Sequence, residues 1–264
     1  MNLFAKKEKK EPLQALIGDG VDYRMYFPNK KEKILWFIIG VIVGGAVLYI
    51  FYESIIASII LGMICGIAFI PIRTNQVIKK RQKNLTVQFR ALLDALSTSI
   101  GAGKNMFDSF ASATDDLAVQ FSEDSDIVRE VKLIRIGLDN NIQMEDLLLN
   151  FAERSGLEDI KDFANVFATC YKKGGNIKDV IKNTASIIGD KIEIQMELET
   201  MVSGQKSEQN IMLVMPVIFI IVLKSMGGGL IDLESPVGIL SVTAAIIIFV
   251  LAYFVSKKIM DIKL

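Results

Sequence analysis

Two short stretches of this chain set glycine beside lysine, the pairing that cradles phosphate in nucleotide-binding loops. They are G-A-G-K-N at 101–105 and K-K-G-G-N-I-K-D at 172–179. Neither fits that chemistry. The phosphate loop G-x-x-x-x-G-K-[ST] requires a glycine where Thr98 stands and a magnesium-binding hydroxyl where Asn105 stands. It also requires a preceding strand. Phe89, Leu92, Leu93, Leu96 and Ile100 instead recur at the three- and four-residue steps of a helix face, and residues 163–171 read as helical too.

Other catalytic chemistry is scarce. Histidine is absent from all 264 residues. That removes imidazole acid–base catalysis, Ser-His-Asp and Cys-His nucleophiles, and HExxH zinc sites. Cys65 lies in an apolar run and Cys170 in a polar one, so no disulfide framework or C-x-x-C pair is available, and Cys170 reads as a reduced cytosolic thiol. The carboxylate pairs Asp115-Asp116 and Glu145-Asp146 are adjacent in sequence and read as surface or capping residues. An acid–base pair must converge on a pocket, which adjacency does not demand. The chain is expected to be no enzyme, with no catalytic residue, metal or cofactor.

The glycines are better explained as punctuation between helices. After Gly101 and Gly103 comes Asn105, with Asp108 three residues on. After Gly137 comes Gln143, with Asp146 three on, and after Gly174 and Gly175 comes Asn176, with Asp179 three on. Glycine ends a helix because positive φ costs it nothing, and an amide side chain caps the next helix. The carboxylate is expected to reach back to the cap's own backbone N–H. Gln143 is the weakest of the three caps. Lys172 and Lys173 suit the negative end of the preceding helix, and Asp179 the positive start of the next. Residues 82–100, 105–118, 124–136, 143–154, 157–172 and 176–201 thus form about six helices. Short joins make consecutive ones antiparallel neighbours in an all-α bundle. The last is long and charged, and leads through Ser203 and Gly204 towards an apolar run.

These helices sit between apolar segments. The chain is 51% hydrophobic, with a mean hydropathy of +0.39. The run 34–72 is about twice the roughly 20 residues that cross a bilayer, with Glu53 at its middle. It is expected to be a hairpin of spans 34–52 and 55–72, turning at Glu53 and Ser54. Further spans are expected at 211–223 and 238–255. Lys30, Lys31 and Lys33 precede the first span. Arg73, Lys79, Lys80, Arg81 and Lys83 follow the second, and Lys257, Lys258 and Lys263 follow the last. The short Glu53 turn has no basic residue, and the 224–236 loop only Lys224. By the positive-inside rule the N-terminus, the middle segment and the C-terminus are cytoplasmic.

The organisation expected is an N-terminal arm (1–33), a transmembrane hairpin (34–72), a cytoplasmic helical bundle (73–209), a second transmembrane pair (210–256) and a tail (257–264). The arm carries Leu13, Leu16, Ile17 and Val21, a short helical stripe suited to lipid headgroups; a loosely ordered tail is the competing reading. Gly40 and Gly44, and Gly62 and Gly66, form G-x-x-x-G pairs that allow the first two spans to approach closely.

The string F-R-A-L-L-D-A-L-S-T-S-I-G-A-G-K-N-M-F-D-S-F resembles the opening of the type II secretion F domain. M-E-D-L-L-L-N-F-A-E-R-S-G and the later K-K-G-G-N-I-K-D-V-I resemble its closing half, and Met215-Pro216 in the following apolar run fits the same pattern. One such domain between two pairs of spans is similar to TadB-type proteins of tight-adherence pilus systems. The resemblance implies an inner-membrane platform that works with a cytoplasmic hexameric ATPase, a second platform protein and pilin subunits; membrane lipid around the spans is a further expected partner, and a homo-oligomer a candidate one. No nucleic-acid partner is expected. Lys104 and Asn105 at one corner, and Lys172, Lys173, Asn176 and Lys178 at another, are candidate docking residues. The alternative function is a small transporter or channel subunit, but ion pathways usually place ionisable residues inside the spans, and these spans are almost free of them.

Overall fold

In a computed structural model, the chain is described over residues 11–52, 54–225 and 236–260. The Glu53 turn, the Lys224–Pro236 glycine-rich loop apart from its two ends, and the tail's Lys263 lie outside the described residues. Every regular element among the described residues is an α-helix. In order these are α1 (Lys30–Tyr52), α2 (Ile55–Gly101), α3 (Met106–Phe121), α4 (Asp126–Asp139), α5 (Met144–Ser155), α6 (Glu158–Lys173), α7 (Ile177–Met201), α8 (Ser203–Ser225) and α9 (Pro236–Met260). They divide into a packed unit, residues 1–27 and 76–192, and an apolar unit, residues 28–75 and 193–264.

The packed unit is built on the inward stripe of α2. Leu85, Phe89, Leu92, Leu93 and Leu96 are all 1% exposed or less. Phe89 sits 5.5 Å from the Phe163 ring, edge-on, and 6.2 Å from Phe151. Aromatic pairs at such tilted geometries add to the area they bury. Helix α3 packs on α4, α4 on α5 and α5 on α6.

Among the described residues, three helices are long and apolar enough to cross a membrane: Lys30–Tyr52, Ser58–Gly101 and Ser203–Leu223, the second of which continues past residue 75 into the packed unit. Within the apolar unit large side chains face outward, with Ile42, Ile56 and Ile64 each more than half exposed. Helix α1 meets α2 across the four glycines. A side chain on Gly40 would begin 2.8 Å from Gly66 Cα, and one on Gly62 would begin 3.2 Å from Gly45 Cα. A Gly44 side chain would begin 2.7 Å from Cys65 Cβ, and a Gly66 side chain 2.7 Å from Val41 Cγ2. Only glycine permits backbones this close.

Several expectations need correction. The expected span 55–72 and the expected helix 82–100 are not separate elements: α2 is one helix of 47 residues. The intervening R-T-N-Q-V-I-K-K-R changes the solvent preference of the side chains, but it contains no glycine or proline to stop the backbone. Pro71 is carried inside the helix, and the Thr74 hydroxyl donates to the Ile70 carbonyl at 2.9 Å beside it. Likewise α8 starts at Ser203, eight residues before the expected span, and Gly204 is helical; only Val202 separates it from α7.

The described arm, from residue 11, is not helical and belongs to the packed unit. Tyr23, absent from the expected stripe, is 1% exposed within the core.

Candidate docking surface

The corners at 101–105 and 172–178 are turns whose geometry follows from local chemistry. Gly103 has φ +85° and Gly174 φ +71°, backbone positions that suit glycine. Nothing stands within 4 Å of where a side chain would begin on either, so both turns are open to solvent. Gly175 N–H donates to the Cys170 carbonyl at 2.8 Å, closing the end of α6 over Lys172 and Lys173.

The caps that follow are reciprocal. Asp108 N–H donates to Asn105 Oδ1 at 2.8 Å, and Asn105 Nδ2 donates to the Asp108 carboxylate at 2.8 Å. At the second corner Asn176 Nδ2 donates to Asp179 at 2.6 Å, and Asp179 N–H reaches Asn176 Oδ1 at 3.4 Å. The carboxylate therefore pairs with the cap's side-chain amide, not with its backbone N–H as expected. An asparagine cap has spare N–H donors that the serine or threonine of a capping box lacks.

The third expected corner is different. Gly137 is not a break: it lies inside α4, buried, where any side chain would run into Leu147. The turn falls later, at Asn141, which takes the left-handed φ of +60° expected of a glycine. Asparagine tolerates that region. Gln143 precedes α5 without making a side-chain cap bond, and Asp146 is exposed in the first turn.

The fold brings the first and last corners together. The Lys178 ammonium lies 3.7 Å from where a Gly101 side chain would begin, so the α2–α3 and α6–α7 turns share one end of the packed unit. Lys104, Asn105, Lys172, Lys173, Asn176 and Lys178 are all exposed there. Lys104 Nζ donates to Ser112 Oγ at 2.5 Å, at the rim of a polar cleft lined by Thr98, Ser99, Asp115 and Asp116. Sequence spacing gave no reason to join Asp115 and Asp116 to Lys104; the crossing of α2 and α3 does. The glycines of the α1–α2 contact belong to the other unit.

Comparison with family models, with characterised proteins and with solved structures finds no match. The chemistry of this surface therefore has to carry the functional reading. It offers exposed ammonium groups, amide caps and open glycine turns, which suit a protein or anionic surface better than a buried small molecule.

Proposed function

We propose that this chain is an inner-membrane platform protein of a tight-adherence or type IV-like pilus, or of a type II-like secretion machine. In this reading α1, the first part of α2, α8 and α9 are four membrane spans, and the packed unit is a cytoplasmic bundle. The bundle docks on a secretion ATPase through the shared end that carries Lys104, Lys172, Lys173 and Lys178. Motion of the bundle is passed to the spans, and pilin helices are lifted from the membrane beside them with a second platform protein. The protein performs no chemistry of its own. The resemblance to the type II secretion F domain motivates the reading.

The single observation that carries it is the uninterrupted α2. Its apolar half is long and apolar enough to cross a membrane, and its other half supplies the central stripe of a packed helical core. A helix rises 1.5 Å per residue and resists bending, so such an element suits the transmission of force. The lysine distribution along the chain supports a cytoplasmic bundle.

The test is affinity capture of the tagged full chain from native membranes in mild detergent, with co-purifying proteins identified by mass spectrometry. A secretion-type ATPase should be recovered. It should be lost when Lys104, Lys172, Lys173 and Lys178 are changed to Glu together, while the variant stays folded and membrane-bound. Recovery of no ATPase or pilin, even after crosslinking, overturns the reading.

A further inference from the structure

The arm carries a closed polar network of its own beside the bonds that hold it to the helices. Asp22 accepts from Leu13 N–H at 2.9 Å, from Arg24 N–H at 2.9 Å, and from the Arg24 guanidinium at 2.8 and 3.0 Å. Residues 13–24 are thus a loop tied across its base by its own carboxylate. Gly18, at φ +64°, lets the loop turn against Leu133.

One ring plugs this loop into the helices. Tyr23 lies under the Arg81 guanidinium, 4.8 Å from its ring centre, and its hydroxyl donates to Glu130 at 2.9 Å. The same hydroxyl also lies 3.5 Å from the Asp126 carbonyl, and three bonds from other groups cross the seam. Tyr23 N–H donates to the Arg154 carbonyl at 2.9 Å, Arg154 Nη1 to the Val21 carbonyl at 3.0 Å, and Asn150 Nδ2 to the Gln14 carbonyl at 3.0 Å.

The charges beneath the ring are already paired among the helices. Glu130 and Arg154, both almost wholly buried, form a two-pronged pair at 2.6 and 2.8 Å, and Arg154 Nε also donates to Asn150 at 2.8 Å. Arg81 holds Asp126 with two bonds, at 2.5 and 2.8 Å. A buried charge stripped of its partner is strongly destabilising. Here the arm can leave without stripping any, because each charge keeps its opposite on a neighbouring helix.

We propose that the seat formed by α2, α4 and α5 is a docking site for the closed loop of residues 13–24, which opens and closes on Tyr23 as a clasp while the helices stay folded. Six residues, Arg24 to Asn29, separate Tyr23 from the start of α1. An extended tether from Tyr23 to Lys30 reaches at most about 25 Å. The proposal does not depend on the platform reading.

Hydrogen exchange on the full chain in lipid nanodiscs tests it. Amides of residues 13–24 should exchange at least ~100-fold faster than those of 147–152, the mark of local opening below the global one. Tyr23→Phe keeps the ring and should speed arm exchange by roughly five- to tenfold, the worth of one hydrogen bond. Tyr23→Ala should bring the arm to the rate of an unstructured peptide and leave 127–134 and 147–167 unchanged. A fluorescently labelled peptide of residues 11–27, added to the Tyr23→Ala protein, should bind, read as a rise in its anisotropy. The proposal is overturned if the wild-type arm exchanges as slowly as the core, if Tyr23→Ala melts α4 and α5 with the arm, or if the peptide does not bind the emptied seat.

Discussion

In the packed unit, Phe89, Phe163 and Leu93 turn inward and are at most 2% exposed; in the apolar unit, Ile42, Ile56 and Ile64 turn outward and are more than half exposed. The residue types are similar, but the forces that can hold each unit together are not. Removal of apolar area from water drives the first. It cannot drive association of helices in lipid, where close packing must do that work. The glycines follow the same division. Gly103, Gly156 and Gly174 give the packed unit left-handed turns, whereas Gly40, Gly44, Gly62 and Gly66 bring two helices of the apolar unit into contact. Gly137 crosses the division, being a close-approach glycine in the packed unit.

The largest effect is expected from Phe89→Ala, which removes a ring that touches both Phe151 and Phe163. It should cost about 3–5 kcal/mol, read as loss of slow hydrogen exchange in α2 from residue 76 on and throughout α3–α6, with little change in α1 or α8. Gly66→Leu attacks the other unit. Its side chain would meet Val41 and the Phe37 ring, and overpacking of this kind costs about 1–3 kcal/mol. Thermal aggregation in detergent should begin at lower temperature while exchange in α3–α6 is unchanged. An equal loss in both units would erase the distinction drawn between them.

Gly137→Ala sharpens the comparison. If Gly137 served only as a weak point in α4, alanine would gain about 1 kcal/mol of helix propensity. The Leu147 contact makes the expected sign destabilising, by about 1 kcal/mol net, in urea unfolding followed by exchange in α4 and α5.

The smallest effect concerns the arm and pH. Burial alone would raise the Asp22 carboxyl, but hydrogen bonds from the Arg24 guanidinium and from the Leu13 and Arg24 N–H groups hold it below its ordinary value. A carboxyl lowered by folding contributes its full stabilisation above the unfolded value of about 3.9 and loses it as pH falls through the folded value. Proteolytic nicking within 13–24 should stay slow at neutral pH and rise below about pH 4. Burial, with the charges of Glu130 and Asp126, raises the Tyr23 hydroxyl far above its ordinary value, so mild alkali should leave the ring seated.

Much of this was legible from neighbouring residues. The helical class, the start of α3, the ends of α6 and α7, and the Asn105 and Asn176 caps follow from periodicity and from signals acting over three or four residues. The α1–α2 glycines were legible for the same reason, since the G-x-x-x-G spacing is itself local. The absence of histidine excluded whole classes of chemistry before any fold was considered.

Tertiary structure alone decided the rest. Tyr23 meets Glu130 across 107 residues, and no spacing near either announces the other. Lys178 reaches Gly101, and Asp115 and Asp116 join Lys104, because helices cross there. Gly137 looked like a stop because glycine in one dimension cannot be told from glycine at a contact. Hydrogen bonds along a helix are settled within four residues, but the fit of one helix against another depends on which faces the whole chain brings together.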